Sequence, residues 1–153
     1  MQAALQSSYT VCTSIEKLKE DHFMAGVTVR MTAGKQYTLS QIQEKIRLID
    51  RIEEVSRTVE EISGVTIWIL AYERYYFRIG GYASMTVILT EHDGEQTACI
   101  VISGGGEGKM GFSYGANRNF AVEGVEILEN CGFRVVESDP DPRKQGFRAQ
   151  FLK

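Results

Sequence analysis

The chain has 153 residues, 43% of them hydrophobic and 24% charged, with a formal net charge of −3. That length and balance describe a globular chain with a sizeable core and exclude a disordered one. Residues 1–63 carry 8 basic and 9 acidic side chains and the remainder 9 and 11, so neither part offers the basic surface that holds nucleic-acid phosphates.

The opening segment, Met1-Gln-Ala-Ala-Leu-Gln-Ser-Ser, has no basic region followed by an apolar run and does not read as a signal peptide. The longest apolar stretch, Val65 to Ala71, is too short to span a bilayer. Cys12, Cys99 and Cys131 are odd in number and widely spaced, which suits reduced cysteines in a cytoplasmic protein. Residues 9–13 predict a short strand, and Ser14 is placed to cap a helix over Ile15 to Phe23. Gly26 to Thr32 alternates as a strand should, ending in a turn at Ala33-Gly34-Lys35.

A long amphipathic helix is predicted next, over Ser40–Ser63. Thr38 and Ser40 each precede a Gln by three residues (Gln41, Gln43), so either fits a capping box. Apolar residues follow at Ile42, Ile46, Ile49, Ile52, Val55, Val59 and Ile62, gaps of three and four that put one stripe on one face. Gly64 reads as the stop, giving a rod of roughly 36 Å. The stripe suits packing on a sheet better than a coiled-coil seam, which needs longer heptad runs.

An antiparallel meander follows. Strands are expected over Val65 to Ile79, Tyr82 to Glu91 and Glu95 to Ser103, joined by two-residue turns at Gly80-Gly81 and Asp93-Gly94. The second turn sets Leu89 opposite Ala98 and Val87 opposite Ile100. Met85, Val87, Leu89, Ala98, Ile100 and Ile102 then share an apolar face. Thr86, Ile88, Thr90, Thr97, Cys99 and Val101 share a half-polar one, which is wetter or meets a partner.

After the glycine-rich run that ends at Ala116, Asn117 or Asn119 is placed to cap a helix reaching about Asn130. Its buried stripe is Phe120, Ala121, Gly124, Val125, Leu128 and Cys131, and Gly132 closes it. Phe133 to Glu137 is a last strand, and Asp139-Pro-Asp-Pro142 breaks regular structure. The fold class is therefore α+β, a two-layer sandwich with a long helix and a C-terminal helix on one face of an antiparallel sheet. Residues 1–138 form one domain in this reading. Residues 139–153 are a tail that frays or adds an edge strand.

The most suggestive chemistry lies between Ile100 and Asn117. A strand, a glycine-rich loop and a helix start can cradle an anion with backbone N–H groups. Ser103, Gly104, Gly105, Gly106, Gly108, Lys109, Asn117 and Arg118 are the candidate ligand-binding residues. The loop is not a Walker A motif. Gly108-Lys109 is followed by Met110, so the Mg²⁺-binding hydroxyl is missing, and Ser103 stands where the first glycine belongs. Nor does it lie in the parallel βαβ unit that a dinucleotide fingerprint requires. The plainer reading is a connection that needs positive φ values.

A second concentration is Tyr72-Glu-Arg-Tyr-Tyr-Phe-Arg78. On a strand, Tyr72, Arg74, Tyr76 and Arg78 share one face, and Glu73, Tyr75 and Phe77 the other. Arg74, Tyr75, Tyr76 and Arg78 are the candidate interaction surface, because aromatics beside arginines stack on planar groups. The competing reading is a cross-strand aromatic ladder. Glu123, Glu126 and Glu129 read as a solvated helix face. His22 and His92 have no partners at metal-ligand spacing, so no metal and no cofactor is assigned, and catalytic residues are left unassigned.

Tyr72-Glu73-Arg74-Tyr75, then Gly80-Gly81, then Ser103-Gly104-Gly105 after a paired strand, resembles a small family of uncharacterised bacterial proteins, over roughly residues 60–120. The resemblance implies a small cytoplasmic bacterial protein built on this hairpin core and brings no activity. The leading functional reading is a non-enzymatic binding or assembly module, with a like subunit as partner. The alternative is a small anionic or phosphorylated ligand held at the glycine loop, with or without catalysis. Neither nucleic acid nor membrane is expected as a partner.

Overall fold

The computed structural model describes residues 26–77, 80–104 and 110–143. The expected strand at 9–13, the helix at 15–23 and the tail beyond 143 lie outside them. In chain order the elements are β1 (Val27–Gly34), α1 (Leu39–Ile46), β2 (Glu53–Ile62), β3 (Val65–Tyr76), β4 (Gly81–His92), β5 (Glu95–Gly104), α2 (Met110–Asn130) and β6 (Arg134–Asp139). The strands form one antiparallel sheet in the order β2-β3-β4-β5-β1-β6, an α+β architecture.

Asp93 and Gly94 both hold positive φ, 48° and 77°, as a type I′ turn demands. His92 therefore pairs with Glu95, and Leu89 and Val87 fall opposite Ala98 and Ile100 as the turn chemistry predicts. Val27, Val29 and Met31 of β1, Leu70 and Tyr72 of β3, Ala83 to Leu89 at alternate positions of β4, and Ala98, Ile100 and Ile102 of β5 are all buried. Both helices lie on that side. α1 contributes Leu39, Ile42 and Ile46, and α2 contributes Phe120, Ala121, Val125 and Leu128. α2 sits close because Gly124 has no side chain; a Cβ there would stand 2.9 Å from Met85 Cε. Its end is a Schellman motif: Phe133 N donates to Leu128 O and Gly132 N to Glu129 O, with Gly132 at φ 91°.

Two expectations give way. The helix over Ser40–Ser63 ends at Ile46. Thr38 caps it, accepting from Gln41 N at 3.1 Å while Gln41 Oε1 accepts from Thr38 N at 2.9 Å. Ile49 still packs into the core through tight turns after the helix. Arg51 takes φ 55°, and the chain then runs as the ten-residue strand β2. Ser63 and Gly64, both at positive φ, turn it back onto β3 as a hairpin, so Gly64 is a turn residue rather than a helix stop. Val55, Val59 and Ile62 only imitate the helical stripe. A bulge between Glu54 and Ser56 breaks the strand's alternation, and all three residues are about half exposed. The second correction is the β3–β4 connection. β3 stops at Tyr76, which pairs with Gly81, so Gly80-Gly81 is not a two-residue turn.

Beside the turns, Glu91 accepts from Lys35 Nζ and Gln96 Nε2, each at 2.7 Å, and Gln96 also donates to Tyr37 O. These hydrogen bonds hold the Glu91 carboxyl below its ordinary value, Lys35's being the stronger effect. The folded state thus takes up the proton less readily than the unfolded chain. The contribution is present above the ordinary carboxylate range and is lost as pH falls through the lowered folded value. Urea titrations should show Glu91→Gln less stable than the parent at neutral pH by no more than about 1 kcal/mol, the gap closing as pH falls through the lowered Glu91 value. In the same assay Ile46→Ala should cost about 2–5 kcal/mol. Val59→Ala should cost only about 0.5 kcal/mol, where a continuous helix would make the two losses alike.

Candidate functional site

Period-two alternation on β3 sends Leu70, Tyr72 and Arg74 toward the helices, and Arg74 ends only 6% exposed. A buried guanidinium must be paired, and this one is paired on every side. It makes a bidentate contact with Glu123 of α2, Nη1 to Oε2 and Nη2 to Oε1, each 2.8 Å. Nε donates to Tyr76 Oη at 3.0 Å, Nη2 reaches the same oxygen, and Nη1 donates to the Asp50 carbonyl at 3.2 Å. The Tyr76 and Phe120 rings lie 4.8 and 4.5 Å from its central carbon. Burial opposes the charge, but the bonds to Glu123 and Tyr76 outweigh it and raise the Arg74 pKa further. Burial likewise lifts the Tyr76 phenol, against the pull of Arg74. The Tyr72 phenol, deeper still and near the Glu54 carboxylate, is pushed far above its ordinary value. Arg74 is thus a clamp joining β3, α2 and the segment before β2. It and Tyr76 lie beneath α2 rather than on an interaction surface. Glu123, expected on a solvated face, is half of the clamp. The available signal is that an arginine in phase with Leu70 and Tyr72 must find an acid on whatever covers that face.

Tyr75 points the other way. Its ring meets Tyr82 at 5.1 Å and Phe77 at 6.5 Å, both edge-on. Phe77 is 89% exposed and Tyr82 57%. Arg78 lies outside the described residues.

The glycine-loop candidates do not assemble into a described cradle. Gly105, Gly106, Gly108 and Lys109 lie outside the described residues. α2 begins at Met110, about two turns before Asn117, so Asn117 is inside the helix and not its cap. Asn117 is fully buried, and its Nδ2 donates to Gly104 O at 3.1 Å, tying α2 to the end of β5. Gly104 itself pairs with Ala83 at φ 99°, where a Cβ would stand 2.9 Å from Tyr82 O. Ser103 Oγ lies 3.2 Å from Ser84 Oγ, and Arg118 Nε donates to Pro142 O. A cavity of about 80 Å³ lies elsewhere, lined by Val29, Val125, Val135 and Pro142 among others, and is well below the ~300–1,000 Å³ of small-molecule sites.

On the side of the sheet away from both helices, Ile69, Ile88 and Cys99 align in one cross-strand row and Ala71, Thr86, Val101 and Thr28 in the next. Ile67, Thr90, Thr97 and Thr32 form a third row, bound together in part by the Thr90–Thr97 hydroxyl contact. Charge enters at three places on this face: Arg30 of β1 lies opposite Cys99 and pairs with Glu137 at 3.1 Å, Glu60 of β2 lies opposite Ile67, and Glu73 of β3 lies opposite Ser84. Cys131, by contrast, is buried at the C-terminal cap of α2, and burial raises its thiol pKa.

Residues 24–132 match the model of a family of unknown function (DUF6054). The chain belongs to this family. The match runs from the approach to β1 through the cap of α2, so the Arg74 clamp and the aromatic cluster fall inside it and β6 follows it. This agrees with the expected uncharacterised family and supplies no activity. No curated protein matches the chain. Among the described residues, no three His, Cys, Asp or Glu side chains converge to hold a metal ion, and no helix is long and apolar enough to cross a membrane.

If Arg74 is a structural clamp, Glu123→Ala strands a buried cation and should cost about 1.5–3 kcal/mol in urea unfolding. The paired change Arg74→Met with Glu123→Leu should recover much of that loss. An arginine serving an external ligand would leave Glu123→Ala near neutral.

Proposed function

We propose that this chain is a non-enzymatic assembly module whose sheet face opposite α1 and α2 packs against the same face of a like subunit. One observation carries the reading: α1 and α2 cover one side, and the other presents rows of Ile, Val, Ala and Thr side chains, bordered by Arg30, Glu60 and Glu73 and continued by Tyr75, Tyr82 and Phe77. Sheets with such faces stack about 10 Å apart with interdigitated side chains. Exposed aromatics at the margin of an apolar patch are the residue types that anchor protein contacts.

Light-scattering mass should exceed the 17.2 kDa of one chain. Ile69→Lys with Ile88→Lys should lower that mass while leaving the melting cooperative. A parent protein that stays at the one-chain mass at high concentration would overturn the reading.

A further inference from the structure

The sheet has two edges among the described residues, and they differ. β6 is six residues long, whereas β2 presents ten, Glu53–Ile62, along its outer side. A long open edge is a row of unpaired N–H and C=O groups that templates another strand. The bulge between Glu54 and Ser56 limits the regular part to Ser56–Ile62.

The geometry of the Ser63-Gly64 turn says which residues face outward. In a two-residue hairpin the flanking pair, here Ile62 and Val65, exchanges both backbone hydrogen bonds, and bonded pairs then alternate along the ladder. Ile62, Glu60, Thr58 and Ser56 therefore bond inward to β3. Glu61, Val59 and Arg57 turn their backbone groups outward. We infer that a second copy of this chain adds to β2, antiparallel about a two-fold axis at Val59, so that the two sheets become one.

Charge selects this register from its neighbours. Centring on Arg57 stacks Arg57 on Arg57 of the partner subunit, and centring on Glu60 stacks Glu60 on Glu60 of the partner subunit. Centring on Thr58 leaves every charge without an opposite. Centring on Val59 sets Arg57 against Glu61 of the partner subunit, and Glu61 against Arg57 of the partner subunit. Directly opposed unlike charges stabilise an antiparallel pair and like charges destabilise it. The same axis bisects the regular segment, since Ser56 then meets Ile62 of the partner subunit. It also brings together two half-exposed Val59 side chains, each flanked by Trp68 on its own β3. Among the described residues, the ion pair Arg57 would give up is a 3.9 Å contact to Glu54. The charges on this edge thus admit one partner in one register, a common device for specificity.

This contact rests on the assembly reading but uses a different surface, so the two can fail separately. Arg57→Glu and Glu61→Arg, each alone, put like charges across the axis and should each halve the light-scattering mass. Mixing the two variants at equal concentration should restore the parent mass, because a mixed pair has opposite charges at both positions. The double variant Arg57→Glu, Glu61→Arg should also restore it. Restoration on mixing requires folded chains, so it separates a lost contact from a lost fold. Single variants that keep the parent mass would overturn the edge contact and leave the face reading standing. Halved masses that neither mixing nor the double variant restores would overturn the register. A one-chain parent mass would overturn both readings.

Discussion

The turn at Asp93-Gly94 sets the frame for everything else. Two residues at positive φ lock β4 and β5 into one register, and the side-chain period of two does the rest. A slip by one position would carry Ala98, Ile100 and Ile102 onto the side away from α1 and α2 and press Thr97, Cys99 and Val101 against α2. β1 reads its register from β5 and β3 from β4, so the same choice propagates across the sheet. Where the helices pack follows from which face that register made apolar.

What local chemistry governs is legible in the sequence. The Asp-Gly turn, the Thr38–Gln41 capping box, the Gly132 stop and the stripe from Phe120 to Cys131 each involve residues a few positions apart. What depends on distant partners is not. The placement of β1 between β5 and β6 has no local signature. Val55, Val59 and Ile62 are spaced like a helix, yet as an edge strand they bury little, so their spacing is not fixed by packing. The Ser63-Gly64 pair between two β-branched runs is the local sign of the hairpin. The early start of α2 is hidden by Gly111 and Gly115, each about 1 kcal/mol unfavourable in a helix.

The candidate chemistry divides along the same line. Arg74 looks like a surface cation by residue type, but its phase on β3 puts it inside, where Glu123, Tyr76 and Phe120 enclose it. Ser103, Gly104, Asn117 and Arg118 are each engaged within the chain, so the described end of the glycine segment serves to join β5 to α2. Outward among the described residues are the Ile88 row, the Tyr75–Tyr82 pair and the β2 edge, whose backbone groups lie between Arg57 and Glu61. The proposed assembly draws on those groups.

The one-sided sheet is tested most directly by peptide-resolved alkylation of the native protein. Cys99 sits among the open-face side chains, and Cys131 is buried in the core at the C-terminal cap of α2. Cys99 should alkylate readily in dilute protein and slow as concentration rises and the face is covered, while Cys131 stays protected throughout. Equal labelling of the two cysteines in native protein, or a Cys99 rate indifferent to concentration, would contradict it.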